Sequence, residues 1–146
     1  MQNHYATEKL TQDRIQERLA QADPGNAGWQ RDLSVSWERI ASVQEDLGEN
    51  AAALQSWQQA LDVSLPLANK YPDNVPLRTT PVIHLAGIAR GLVATDPTRR
   101  AQAIAALDQA LELLRPLQAT GRLDNKREGW IGWLGEERRK LLEAAP

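Results

Sequence analysis

The side chains able to do chemistry in this 146-residue chain are few and scattered. His4 and His84 lie far apart, and no carboxylate shares the spacing of a two-histidine helix motif, so no metal centre is expected. Ser34, Ser36 and Ser42 fall in a helical pattern. They lack the strand-to-helix elbow that exposes a nucleophilic serine, so a hydrolase array with His84 has no local framework. Gly129, Gly132 and Gly135 are three apart and interleaved with Trp130, Ile131, Trp133 and Leu134. A phosphate cradle needs Gly-x-Gly-x-x-Gly or a P-loop with its Lys, and neither is present. Glu45-Asp46 and Glu136-Glu137 read as solvated faces or helical partners of basic residues. The chain is therefore expected to be a non-enzyme with no cofactor and no metal, and His84 to be packed or to line a groove.

Composition narrows the classes further. There is no cysteine, which removes disulfides and thiolate metal sites and leaves the redox compartment open. Net charge is −2, and the basic clusters Arg99-Arg100 and Arg138-Arg139-Lys140 are interleaved with or followed by acids. A surface tracking phosphates along a nucleic acid is not expected. The opening residues Met1 to Lys9 have no apolar core, so no secretory leader is expected. The most apolar run, Val82 to Ala94, contains His84 and Arg90 and falls short of the roughly 20 residues a bilayer span needs. A cytoplasmic setting without membrane contact is the expectation.

The elements that must position any site are helical, since Leu, Ala, Gln and Glu abound and no strand-length alternation of β-branched and polar residues occurs. A first helix is expected over about Thr7 to Ala22, with Leu10, Ile15 and Leu19 on one side, ended by Asp23-Pro24-Gly25-Asn26. A second, about Ala27 to Leu47, carries Trp29, Leu33, Trp37, Ile40 and Leu47 as one apolar stripe, closed by Gly48. A third, about Asn50 to Asn69, has Ala53, Leu54, Trp57, Ala60 and Leu61 on its packing face and only Asp62 charged. The fourth is expected to start in earnest at Pro81, with Thr80 as its cap. The fifth runs from the Thr95-Asp96-Pro97-Thr98 turn to about Ala119, and the last from about Asp124 to Ala144. In that last helix Gly129, Gly132 and Gly135 are expected to allow a close approach or to break the segment, while Trp130 and Trp133 are expected to seal an apolar face, the alternative being contact with a partner.

Much of this recurs. Ala53-Leu54, Trp57, Gln59-Ala60-Leu61 and Pro66-Leu67 are answered fifty residues later by Ala103-Ile104, Leu107, Gln109-Ala110-Leu111 and Pro116-Leu117. Pro24 and Asn26 are answered by Pro72 and Asn74, and Ile40-Ala41 by Ile88-Ala89. Such a period indicates stacked helix pairs. Trp37, Ile40, Ala41, Gly48, Ala53, Leu54, Trp57, Ala60 and Leu61 resemble the tetratricopeptide repeat (TPR) pattern of large and small positions. The period exceeds the common 34 residues and looks like the long-helix variants of kinesin light chains and large bacterial repeat proteins. The resemblance covers about Leu19 to Leu117.

An all-α helical-repeat solenoid, a TPR-like right-handed superhelix, is expected, with two long helix pairs and a flanking helix at each end. The division is a partial repeat over 7–22, repeats over 23–71 and 72–120, and a capping helix over 124–144. The resemblance implies a concave face formed by the first helices, holding a protein or peptide partner. On it stand Val35, Glu38, Arg39 and Ser42 from the first copy and Ile83, Ala86, Gly87, Arg90 and Val93 from the second. Ala86-Gly87 are expected to form a hollow flanked by Arg90, suited to an apolar side chain with a nearby carboxylate; the alternative is that this helix is buried by the last one and Arg90 pairs with a nearby acid of its own chain. Glu38 and Ser42 stand where the peptide-carboxylate clamp of co-chaperone domains has Lys and Asn, which argues against chaperone-tail binding. The function expected is a non-catalytic interaction scaffold, with self-association through repeat ends possible. The alternative is a regulatory or sensor domain forming the C-terminal part of a larger signalling protein or enzyme.

Overall fold

A computed structural model describes Arg14, Arg18 and residues 25–144. The expected first helix lies outside the described residues apart from Arg14 and Arg18, both helical. Five α-helices make up the rest: α1 (Ala27–Asp46), α2 (Asn50–Lys70), α3 (Val75–Thr95), α4 (Arg100–Ala119) and α5 (Asn125–Glu143). One 3₁₀ turn, Pro97–Arg99, precedes α4. Connections this short between long helices make neighbours run antiparallel, and each helix packs on the next. None of the described helices is long and apolar enough to cross a membrane.

Local chemistry sets the helix ends. Asn26 and Asn74, one repeat apart, cap α1 and α3 by accepting the backbone N–H groups of Trp29 and Leu77. Asp124 does the same for α5 through Arg127 N–H. Gly48 and Gly121 adopt φ of +79° and +68°, left-handed conformations that make the turns after α1 and α4 and that glycine takes without a Cβ penalty.

Two sequence expectations require correction. The fourth helix, α3, starts at Val75 and not at Pro81, because Asn74 supplies the cap and Pro76 sits in the first turn, where its missing N–H costs nothing. Thr80 is then an interior residue whose hydroxyl donates to the Pro76 carbonyl. In α5 the glycines neither break the helix nor permit a close approach, since a Cβ at Gly129, Gly132 or Gly135 would meet nothing within 4 Å.

The small-large-small pattern is realised in packing. Ala53, Ala60, Ala103 and Ala110 are fully buried, with Trp57 and Leu107 between them. Helix α3 is the central element, buried along most of its length by Leu77, Val82, Leu85, Ile88, Ala89 and Leu92. The closest approach is at Gly87, where a Cβ would fall 2.2 Å from the Trp57 ring. Gly91 gives Leu54 similar room, with a Cβ 3.0 Å from that of Leu54. Polar ties cross the remaining seams. Arg78 Nε donates to the Leu113 carbonyl, Arg138 pairs with Asp108, and Arg122 reaches back to Asp73 across the two turns.

Trp57→Ala is expected to cost about 3–5 kcal/mol in chemical denaturation, as for other buried aromatics. Gly87→Ala adds one methyl yet should cost about 1–3 kcal/mol, because the indole must move. A loss below roughly 1 kcal/mol for Trp57→Ala would show that the ring is not packed as described.

Candidate functional site

Two polar assemblies link α1, α2 and α3. In the first, His84 is fully buried between Ser64 of α2 and Glu38 of α1. Its Nε2 lies 2.9 Å from Glu38 Oε1 and its Nδ1 2.8 Å from Ser64 Oγ. A carboxylate only accepts, so Nε2 donates to Glu38, and in the neutral ring Nδ1 accepts the Ser64 hydroxyl. The residue types resemble a hydrolytic array, but Ser64 is itself buried and its hydroxyl is taken up by the His84 ring. What the arrangement does is satisfy a buried imidazole and pin three helices together. Of the two expectations for His84, packed or lining a groove, the structure gives the first, and neither partner was anticipated, because Ser64 and Glu38 are on different helices.

In the second assembly Glu45, near the end of α1, is the hub. Its Oε1 accepts the Trp57 indole N–H at 2.5 Å and Arg90 Nη2 at 3.1 Å, while Oε2 accepts Arg90 Nε at 3.4 Å. The Arg90 guanidinium also lies over the Trp57 ring, 5.6 Å from its centroid. Arg90, expected to await a partner's carboxylate, is thus engaged by one from its own chain.

Arg90 stands between two openings. One, of about 210 Å³, lies among α1, α2 and α3 and is bounded by Glu45, Asn50, Trp57, Arg90 and Ala94. The other, of about 230 Å³, is a groove among α3, α4 and α5. Ala86, Ala89, Arg90 and Val93 form one wall, Leu107 the floor, and Trp133, Glu137 and Leu141 the other wall. The two are equivalent by repeat: Val93 follows Glu45 by forty-eight residues, Leu107 follows Trp57 by fifty, and Leu141 follows Ala94 by forty-seven. In the first seam a tryptophan and its glutamate acceptor border the opening. In the second a leucine and a valine stand there, and apolar surface is left open.

Of the expected face, Ala86, Arg90 and Val93 gather in the groove. Gly87 does not form a hollow with Ala86, because Trp57 lies on it. Ile83 packs partly buried against the core, Glu38 is held by His84, Val35 is half-buried, and Arg39 and Ser42 are exposed on α1. The sequence reading missed the far wall. Trp133 does not seal the core: it is 40% exposed and lines the groove, whereas Trp130 packs against the core. The available signal was helical phase, since Trp133, Glu137 and Leu141 recur every four residues along one side of α5. Among the described residues no group of three or more His, Cys, Asp or Glu is placed to hold a metal.

Comparison of the chain with models of known families, with curated proteins and with solved structures gives no match.

The far wall depends on α5 and its cap. The Arg127 backbone N–H, with the nearby Arg127 charge, holds the Asp124 carboxyl below the usual aspartate range. Its contribution to α5 is therefore complete above the unfolded-state pKa and is lost as pH falls through the lower folded value. Acid titration of α5, followed by the Trp133 indole resonance, should show loosening only below about pH 4. Asp124→Asn, which keeps the acceptor without the titration, should remove that part of the acid response, and an unchanged response would exclude the cap as its source.

Proposed function

We propose that the chain is a non-catalytic interaction module of helical-repeat, TPR-like type, and that its groove between α3 and α5 takes a bulky apolar side chain from a peptide or protein partner. The observation that carries this reading is Trp133, a large apolar side chain 40% exposed across from small residues of α3 over an apolar floor. Leaving an indole in water forfeits burial energy, and aromatic residues in such positions are frequent anchors of binding. Ala86 and Ala89 keep that space open, and Arg90 and Glu137 flank it with one charge of each sign. A carboxylate next to the apolar side chain would meet the Arg90 donors that Glu45 leaves free. The solenoid arrangement rests on the repeat spacing and on the packing of successive helices.

Panning a random heptapeptide library on the purified protein tests this. Enriched peptides should share a bulky aliphatic or aromatic residue. Trp133→Ala should weaken them roughly tenfold, about 1.4 kcal/mol, with little change in thermal midpoint because the side chain is partly exposed. Peptides without an apolar residue in common, or peptides indifferent to Trp133→Ala, would refute the groove as the site.

A further inference from the structure

The electrostatics at Arg90 point to a residue that does not line the groove yet decides which partners enter it. We infer that Glu45 sets the charge specificity of the groove, by acting as a built-in competitor for the partner carboxylate that would otherwise pair with Arg90. This rests on the groove being the binding site, as proposed above.

A guanidinium offers two forks, one from Nε and a neighbouring Nη, the other from both Nη atoms. Arg90 gives the first to Glu45, with Nε at 3.4 Å from Oε2 and Nη2 at 3.1 Å from Oε1. The second fork has no partner among the described residues, and Arg90 lines the groove as well as the neighbouring opening. An arriving carboxylate therefore finds donors, but on a cation already neutralised, with a like charge beside it. The side chains of Arg90 and Glu45 are 48% and 30% exposed, so their pair is weak enough to be exchanged. Exchange does not orphan Glu45, because its Oε1 keeps the Trp57 indole N–H at 2.5 Å. Trp57 in turn keeps the Arg90 guanidinium over its ring. The geometry thus holds the cation in place while cancelling its charge, so an acidic partner trades one ion pair for another and gains little over its neutral counterpart.

Glu45→Gln isolates this effect, since the amide oxygen can still accept from Trp57 while the charge is gone. The probes are the blocked dipeptides acetyl-Leu-Asp-amide and acetyl-Leu-Asn-amide, titrated into the full chain while the Trp133 indole resonance is followed by NMR. In the wild type the two should bind within about twofold of each other. In Glu45→Gln the Asp peptide should gain roughly three- to fivefold over the Asn peptide. The double variant Glu45→Gln, Arg90→Ala should lose that gain, with the Trp57 indole N–H resonance retained throughout. An unchanged ratio in Glu45→Gln, with the Asn peptide still bound, overturns the role of Glu45 and leaves the groove standing. A gain that survives Arg90→Ala also overturns it, because the cation would not be the receiver. If neither peptide moves the Trp133 resonance in any variant, the groove reading and this inference fail together.

Discussion

The indole of Trp57 lying on the bare backbone of Gly87 is the contact on which the arrangement depends. It brings α2 and α3 closer than a side chain at position 87 would permit without a shift, since a Cβ there would fall 2.2 Å from the ring. Once seated, the ring buries its apolar surface and directs its N–H outward to Glu45, which in turn holds Arg90. A single packing choice therefore fixes the spacing of two helices, the acceptor on a third, and the position of the half-exposed cation bordering the groove. The His84 relay to Ser64 and Glu38 joins the same three helices deeper in the molecule.

The second seam shows what happens when that choice is not repeated. Leu107 takes the place of Trp57 and Val93 that of Glu45, so neither the bulk nor the polar acceptor is present. The void is not filled by α5, whose glycines face outward and whose Trp133 stands over the gap. Both seams keep an opening of similar size, about 210 and 230 Å³, but the first is bordered by the Trp57 indole and the Glu45–Arg90 pair, whereas the second lies over the apolar floor of Leu107. For the partner proposed above, walls already in place in the folded chain would reduce the ordering cost of binding.

The five described helices, most of their boundaries and the burial of Ala53, Trp57, Ala60, Ala103, Leu107 and Ala110 were legible in the sequence, because they follow from periodicity and capping that act over a few residues. The α3 start was misplaced since Pro81 after Thr80 is a good helix opening by itself, and only the stronger Asn74 and Pro76 signals upstream overrule it. Gly87 was read as space when it is contact, because a glycine on a helix is equally consistent with an open groove and with a neighbour pressed against it. Arg90, Ala86 and Val93 were reachable through the repeat register. Helical phase groups Trp133 with Glu137 on one side of α5, but what that side faces, and the place of Glu45 beside Arg90, depend on how helices distant in sequence meet.

The most direct measurement of this account is a double-mutant cycle between Trp57 and Gly87 by chemical denaturation. If the ring occupies the space above the glycine, Gly87→Ala should destabilise the wild type but be nearly neutral in Trp57→Leu, where the opposing bulk is gone. That is a coupling of about 1 kcal/mol or more. Additive effects within about 0.3–0.5 kcal/mol would mean that the two residues do not touch, and would contradict the account.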